Sequence, residues 1–376
     1  MKKTHPMRLT VLAMAAVSAG CFLPPICLPP PNSPSTYSAQ DNRPLHRIAF
    51  GSCFHQDNPP QVWNAILAEN PEVFLFLGDN VYADTLEPDV MRATYAKLEA
   101  VDGYRKLRAH CPILAMWDDH DYGYNDAGAE HPKKRDAQSI FVDFFADPPE
   151  SPRHTREGVY DAKVFGPPAR RVQVILLDTR YFRGPLRTRG ILKSATSTNT
   201  GPYVPNDDPA ATMLGEAQWS WLAEQLKIEA ELRIIVSSVQ LLAEDHGYEK
   251  WMNLPLERER LFSLIRSSKA DGVLIVSGDR HSAELSRIDD AVGYPLFDLT
   301  SSSLNRPRTP VPESNRHRVD AALAGTSENI FFAPNFGMIL IDWEKKDPTV
   351  TLRIHDDRGR CVIRHKIPIS ALRSRK

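Results

Sequence analysis

The sequence predicts an α/β fold in which two mixed β-sheets pack face to face between layers of helices. Short runs of β-branched and aromatic residues alternate with segments of helical spacing, as in chains that build sheets covered by helices. The C-terminal third contains more strand-like runs than helical ones, which favours two sheets over a single doubly wound sheet. Prolines outnumber glycines, 31 to 19, which indicates many rigid turns and long loops.

The strands are predicted where short apolar runs, rich in β-branched and aromatic residues, are bounded by turn-forming residues. They are expected at 46–51, 73–77, 113–117, 172–178, 233–238, 272–278, 283–288, 296–300, 337–343, 349–354 and 361–367. The helices are predicted where apolar residues recur at the three- and four-residue spacing of one helix face. They are expected at 62–69, 88–101, 134–146, 215–230 and 256–268.

Two long stretches, 183–211 and 305–329, show neither periodicity. Loops of this length are uncommon inside a compact domain, so the first is expected to cap a site or to be a disordered excursion. The sequence shows no domain boundary within 45–376, and we expect this region to form one folded domain.

The N-terminus has the pattern of a secretory signal. Basic residues at positions 2, 3 and 8 precede an apolar run at 9–19 that is too short to span a bilayer. The run ends in Ser18-Ala19-Gly20-Cys21, which resembles a bacterial lipoprotein box with Cys21 as the lipidated residue; cleavage after Ala19 is the alternative.

This pattern predicts how the chain is divided and where the protein is found. We expect a signal peptide at 1–20, a Pro- and Ser-rich tether at 21–44 and the folded domain at 45–376. The protein is expected to be exported to the periplasm or the cell surface and to reach the membrane through a lipid on Cys21. Its oligomeric state is left open.

The charge balance limits the classes of partner. The chain carries 46 basic and 47 acidic residues, which gives a formal net charge of −1. Such a balance provides no electrostatic basis for binding nucleic acid or an acidic membrane surface. A small-molecule substrate is therefore the expected partner.

Residues suited to catalysis or metal binding follow the predicted strands at their carboxyl ends. In open α/β sheets these ends converge on one rim, so such residues can meet although they are distant in sequence. Four segments show this placement: Gly51-Ser52-Cys53, Gly78-Asp79-Asn80-Val81-Tyr82, Trp117-Asp118-Asp119-His120-Asp121 and Gly278-Asp279-Arg280-His281.

Each segment alone has an ordinary explanation, such as a capping aspartate in a turn or a buried thiol. Together they would place several carboxylates close to one another, and these would repel one another without compensation. Bound cations would supply that compensation and turn the repulsion into coordination. The pattern therefore predicts a metal centre.

The set of segments resembles the PhoD-like (alkaline phosphatase D) branch of the metallophosphoesterases. The resemblance extends from about residue 46 to 300 and also includes Leu177-Asp178-Thr179-Arg180 and Ser237-Ser238-Val239-Gln240. It implies a four-layer αββα sandwich of two mixed sheets flanked by helices. It also implies a two-metal centre and the hydrolysis of phosphomonoesters or phosphodiesters.

The resemblance suggests a ligand for each metal. Asp79 would bridge both ions, and Cys53, Tyr82 and His281 would complete one site, where thiolate and phenolate suit Fe³⁺. The other ion would be held by Asp79 and by the second group of carboxylates: Asp118 or Asp119, and Asp279. That oxygen-rich set suits Ca²⁺, while Mn²⁺, Mg²⁺ and Zn²⁺ remain alternatives.

Further residues are expected to act on the substrate. His120 is predicted to protonate the leaving alkoxide; alternatively it is a loop histidine held by Asp118 or Asp121. Arg180 is a candidate phosphate clamp or, equally, a structural ion-pair partner. Two weaker candidates for polar contacts at the rim are Asn125 and Gln240.

The expected function is that of an exported, metal-dependent phosphoester hydrolase in which metal-activated water attacks phosphorus. A phosphodiesterase or phospholipase-type activity on the same centre is the nearest alternative. A catalytically silent, metal-stabilised binding lipoprotein is an alternative from another class.

Overall fold

The computed structural model describes residue 1 and residues 42–189, 201–310, 313–319 and 329–374. The predicted signal peptide beyond Met1, the lipidation site Cys21 and most of the predicted tether lie outside these residues. Parts of the two long stretches, at 190–200, 311–312 and 320–328, lie outside them as well. No helix among the described residues is both long enough and apolar enough to cross a membrane.

The strands and helices are numbered in chain order. The strands are β1 (Arg47–Gly51), β2 (Val73–Leu77), β3 (Ile113–Met116), β4 (Asp161–Phe165), β5 (Val172–Leu176), β6 (Leu232–Ser237), β7 (Val273–Ser277), β8 (Ala283–Ile288), β9 (Leu296–Ser301), β10 (Ile330–Phe331), β11 (Asn335–Asp342), β12 (Thr349–Asp356) and β13 (Cys361–Pro368). The helices are α1 (Val62–Ala68), α2 (Pro88–Ala100), α3 (Asp102–His110), α4 (Asp119–Tyr122), α5 (Lys134–Phe144), α6 (Gly215–Gln225) and α7 (Pro255–Ser268).

The described strands form two mixed sheets, as predicted. The first has the order β13-β12-β11-β1-β2-β3 and the second the order β10-β8-β9-β7-β6-β5-β4. Strands β1, β2 and β3 are parallel, and so are β5, β6, β7 and β9. The remaining pairings are antiparallel. Each sheet therefore places a set of parallel carboxyl ends along one edge.

Strand β2 shows how the layers are built. Val73, Leu75 and Leu77 belong to a core shared by both sheets, whereas Phe74 and Phe76 belong to a second core with α1, α2, α3 and α5. This alternation is the two-residue period of a strand that is covered on both faces. Helices α6 and α7 cover the outer face of the second sheet through apolar residues of the first core. The predicted order of layers, helix–sheet–sheet–helix, is confirmed.

The predicted strands and helices are present, with ends that differ by a few residues. The helix expected at 88–101 is α2, which ends at Ala100 because Val101 adopts an extended conformation. The next helix, α3, and the four-residue helix α4 were not predicted. The edge strands β4 and β10 were not predicted. Four of the five residues of β4 are only partly buried, and β10 has two residues, so neither carries a clear apolar run.

Candidate metal centre

The sequence-predicted residues follow the parallel strands of both sheets. Cys53, Asp79 and the segment 118–120 come after β1, β2 and β3, and the segment 279–281 comes after β7. An isolated parallel bridge between Ser52 and Ser302 joins the ends of β1 and β9, which belong to different sheets. The fold therefore brings the carboxyl ends of the two sheets to a common rim.

Four of the candidate ligands have left-handed backbone conformations. The φ angles are 58° at Cys53, 51° at Asp79, 66° at Asp279 and 52° at His281. Such conformations are uncommon for residues other than glycine and are concentrated at functional sites. At this rim they turn each side chain sharply out of its strand, and the surrounding hydrogen bonds hold them there.

Two glycines allow the strand ends to approach closely. A Cβ atom on Gly78, whose φ is +99°, would lie 2.5 Å from the Cβ atom of Asp118. A Cβ atom on Gly278 would lie 2.6 Å from the Oγ atom of Ser52. Any larger residue would therefore push the aspartate segments apart, which explains the glycine that precedes both Asp79 and Asp279.

One group of side chains combines sulfur, phenol, imidazole and carboxylate. The Cys53 Sγ atom lies 3.3 Å from Asp79 Oδ2, and the Tyr82 hydroxyl lies 2.9 Å from the same oxygen. The Tyr82 hydroxyl is also 3.0 Å from Nε2 of His281. Ligand atoms of Cys53, Asp79 and His281 all lie within 4.8 Å of one another, so the three side chains could hold a single ion.

A second group contains carboxylates alone. Oxygen atoms of Asp118, Asp119 and Asp279 lie within 4.8 Å of one another. Asp119 also belongs to a group with Asp79 and His120, so it lies between the two sets. All-oxygen sets of this kind suit hard cations such as Ca²⁺ or Mg²⁺.

Unpartnered oxygens test whether cations fit here. Oδ1 of Asp79, Oδ2 of Asp118 and Oδ1 of Asp119 are buried, and none has a hydrogen-bond partner among the described residues. A buried carboxylate oxygen without a partner is strongly unfavourable unless a cation binds it. The residues present therefore fit a metal centre that draws one oxygen from each of these three aspartates.

Electrostatics favour the same conclusion. Burial, followed by the nearby charge of Cys53, raises the pKa of Asp79 well above its usual range. Burial and the charge of Asp118 raise the pKa of Asp279 to about 8. Burial also raises the pKa of the Cys53 thiol and, together with Asp79, that of the Tyr82 phenol. Bound cations would reverse these shifts, because they stabilise the deprotonated ligands.

Asp121 holds the rim together without offering a free oxygen to it. Its carboxylate accepts hydrogen bonds from the backbone amides of Asp79 (3.2 Å) and Asp118 (2.7 Å). It also accepts bonds from the side-chain amide of Asn80 (2.6 Å) and the Tyr95 hydroxyl (3.1 Å). A single side chain thus fixes the ends of β2 and β3 relative to each other. Asp121 belongs to one of the segments that follow the predicted strands, but its position in the sequence does not indicate this structural role.

Arg180 is fully buried behind the carboxylates. Its Nε atom donates to Asp118 at 2.5 Å, and another guanidinium nitrogen lies 2.7 Å from Glu249. The same guanidinium lies 3.7 Å from Asp119. This placement favours the structural ion-pair interpretation over the phosphate clamp, because its charge is already shared among three carboxylates. Glu249 carries no sequence signal that would have singled it out.

Asp118 and Asp119 differ in their surroundings. Asp118 is held by Arg180 and by the Ser238 hydroxyl, which donates at 2.5 Å. Asp119 accepts the backbone amide of Asp126 at 2.7 Å. Burial would raise the pKa of Asp119, but the charges of Arg180 and His120 outweigh it and lower the pKa to about 2. Asp119 is therefore the more strongly ionised of the two.

His120 is held by a residue that the sequence did not indicate. Its Nδ1 atom lies 2.6 Å from Oδ1 of Asp84. The alternative interpretation named Asp118 or Asp121 as the residue that holds His120, and that assignment is wrong. Nε2 faces the metal groups and lies 4.0 Å from Asp119. Burial opposes protonation, but Asp79 and Asp119 outweigh it and raise the pKa of His120 to about 10. The only sequence signal for Asp84 is its position in the loop that follows Asp79.

The two weaker candidates for polar contacts differ in their exposure. Gln240 is buried, and its side chain bonds Glu284 (2.6 Å), Thr300 (2.9 Å) and His246 (3.0 Å). Gln240 therefore stabilises the second sheet. This placement does not match the prediction that its side chain makes polar contacts at the rim. Asn125 is exposed in the loop before Asp126.

Two sheets between helices, with carboxylates, a thiol, a phenol and imidazoles gathered where the strands end, define the class of metal-dependent phosphoesterases. The chain belongs to the PhoD-like phosphatase family, whose model matches residues 48–352.

Individual relatives are distant. Alkaline phosphatase D of Bacillus subtilis (strain 168) is 22% identical over 307 residues, which are 70% of this chain and 49% of that protein. The chain thus spans about half the length of this curated relative. A structure of PhoD superposes with a TM-score of 0.61 at 15% identity and covers 89% of this chain and 73% of that one.

A second similar structure has a different described role. GAP50, described as the anchor in the inner membrane complex of Plasmodium, superposes with a TM-score of 0.54 at 14% identity. The match covers 89% of this chain and 90% of that one. Both structures support the fold, and neither by itself defines an activity.

Proposed function

We propose that this protein is an exported hydrolase of phosphoric esters that uses two metal ions and water. The observation that carries the proposal is the set of buried, unpartnered oxygens of Asp79, Asp118 and Asp119 beside a thiol, a phenol and an imidazole. A stable fold does not leave three such oxygens unpaired without a compensating charge. Phosphoester hydrolysis is the chemistry of the family to which the chain belongs.

The ligands divide between two ions of different character. Cys53, Tyr82, His281 and Asp79 would hold the first, and the thiolate and phenolate suit Fe³⁺. Asp79, Asp119 and Asp279 would hold the second, with Asp118 offering its remaining oxygen. This set suits Ca²⁺, and it also accepts Mn²⁺, Mg²⁺ or Zn²⁺. The ionised state of Asp119 favours it over Asp118 as the principal ligand.

The metals, when bound, supply a deprotonated water as the nucleophile and positive charge for the phosphoryl oxygens. The chain's own residues provide the rest. Asp84 accepts the Nδ1 proton of His120, so the Nε2 proton faces the site and can pass to the departing alkoxide. Arg180 and Ser238 hold Asp118 in place from behind, and Asp121 keeps the strand ends in register.

Export and anchoring belong to the same proposal. The basic start, the short apolar run and the following cysteine support a signal peptide with a lipid on Cys21. The mass of the mature N-terminus tests this directly. A mature protein that begins at Gly20, as cleavage after Ala19 would give, or at Cys21 without added lipid mass, would contradict anchoring while leaving export intact.

Catalysis is favoured over the silent-binding alternative. That alternative is relevant because GAP50, which has a similar fold, is described as an anchor. A merely structural metal needs neither a histidine facing it nor a carboxylate that orients that histidine. The Asp84–His120 pair is therefore an observation that favours turnover.

The test combines metal analysis of the purified protein with hydrolysis of an aryl phosphomonoester and an aryl phosphodiester. We expect two metals per chain and release of the aryl alcohol from at least one of the two esters. A protein that binds both metals but hydrolyses neither ester would support the silent-binding alternative. A protein that binds no metal and hydrolyses nothing would contradict the proposal as a whole.

A further inference from the structure

Arg306 is a cation beside the candidate metal ligands. Its guanidinium carbon lies 3.8 Å from the centroid of the Tyr82 ring, and the side chain is partly exposed. The Tyr82 hydroxyl in turn contacts Asp79 and His281. A charged guanidinium therefore lies one aromatic ring away from two of the proposed ligands, at the accessible side of the site.

The neighbouring arginines are paired with a carboxylate, whereas Arg306 has no such pair among the described residues. Arg280 and Arg308 each lie 2.9 Å from the carboxylate of Glu313, which is buried. Within the part of the chain that the structure describes, Arg306 has no carboxylate partner and donates no side-chain hydrogen bond. Arg280 and Arg308 thus share one glutamate, whereas among the described residues no carboxylate pairs with Arg306.

The contact with Tyr82 leaves the donors of Arg306 available. A guanidinium that lies over an aromatic ring presents its face to the ring, while its N–H groups point outward in the plane of the cation. If Arg306 only packed against the protein surface, it would not need to contact Tyr82, which is a proposed metal ligand. Outward-pointing donors of this kind match the oxygens of a phosphate group.

We propose that Arg306 binds the phosphoryl group of the substrate and favours monoesters over diesters. The inference rests on the proposed function, because it places the ester phosphate at the metal centre. A phosphomonoester dianion has one more negative charge and one more non-bridging oxygen than a diester monoanion. Arg306 can pair with that additional charge, whereas in a diester the corresponding oxygen carries a second organic group.

The test compares Arg306→Gln and Arg306→Lys with the native protein on an aryl phosphomonoester and an aryl phosphodiester. Removal of a charge-assisted hydrogen bond predicts a loss of about 10- to 100-fold in kcat/KM for the monoester with Arg306→Gln. The diester should lose much less, and Arg306→Lys should be intermediate. Arg92→Gln, an exposed substitution on α2 with the same change in net charge, is the matched control and should behave as the native protein.

Binding of inorganic phosphate to the metal-loaded protein, measured by calorimetry, separates this inference from the proposed function. Arg306→Gln should weaken phosphate binding by a factor similar to its effect on the monoester, with unchanged metal content and Tm. Unchanged phosphate binding would overturn the role of Arg306, whether or not the native protein hydrolyses esters. Equal losses on both esters, accompanied by loss of metal, would also overturn it, because they indicate support of Tyr82 instead. If the native protein hydrolyses neither ester but phosphate binding still depends on Arg306, the proposed function fails and the anion-binding role stands.

Discussion

Replacing Arg180 with alanine distinguishes a buried ion-pair partner from a phosphate clamp. The Arg180 side chain has no exposed surface, and those of Asp118 and Glu249 are 1% and 4% exposed. Arg180→Ala would leave both carboxylates buried without their common cation. Breaking such a buried pair costs about 3–5 kcal/mol in free energy of unfolding. Because Asp118 and Asp119 lie in front of the guanidinium, the affinity for the second metal should also fall, by about 10- to 100-fold.

The assay is urea denaturation of the metal-free protein, followed by titration of each variant with Ca²⁺. Arg105→Ala is the control, because Arg105 forms an exposed pair with Asp102 at 3.4 Å, with side chains 53% and 65% exposed. Such pairs contribute only about 0–1 kcal/mol. A loss below about 1 kcal/mol for Arg180→Ala, with normal Ca²⁺ affinity and a raised KM, would refute the ion-pair interpretation and restore the phosphate clamp.

Three further predictions concern the metal centre. Asp79→Asn should reduce turnover by at least about 100-fold and lower the content of both metals, because it removes the shared carboxylate; full turnover in a steady-state assay would exclude Asp79 as the bridge. Cys53→Ser should abolish a thiolate-to-iron absorption band, whereas Cys361→Ser, at an exposed position, should leave the spectrum intact; an unchanged band in Cys53→Ser would remove the thiol from the ligand set. Asp84→Asn should slow hydrolysis of an alkyl phosphate by about 100-fold but that of an aryl phosphate much less, since protonation by His120 matters most for poor leaving groups. Equal effects on both esters would show that Asp84 does not act through His120.

The sequence was most informative where the structure depends on short stretches of chain. The apolar run at 73–77 defines β2 because its side chains alternate between two buried faces, and the following Gly78-Asp79 marks where it stops. The same reasoning places Cys53 and Asp279 at strand ends. It misses β4, because that edge strand is largely half-buried and carries little apolar pattern.

Residues around the candidate ligands were harder to predict. Glu249 pairs with Arg180, and Asp84 pairs with His120, although no local motif links the members of either pair. Arg306 reaches Tyr82 from a stretch without periodicity. Such contacts depend on where distant loops return to the rim, and local spacing carries no information about that.

The sequence by itself determined which types of residue are candidate metal ligands and that they lie at the carboxyl ends of the strands. Glycine, aspartate and cysteine directly after apolar strands are local features, and parallel strands must bring their carboxyl ends together. Only the tertiary structure decided that Arg180 faces carboxylates and that Asp84 orients His120. It also left Arg306 as the uncompensated charge among the described residues at the rim. The physical reason is that a hydrogen bond or ion pair depends on distances of a few ångströms, which only the packed chain defines.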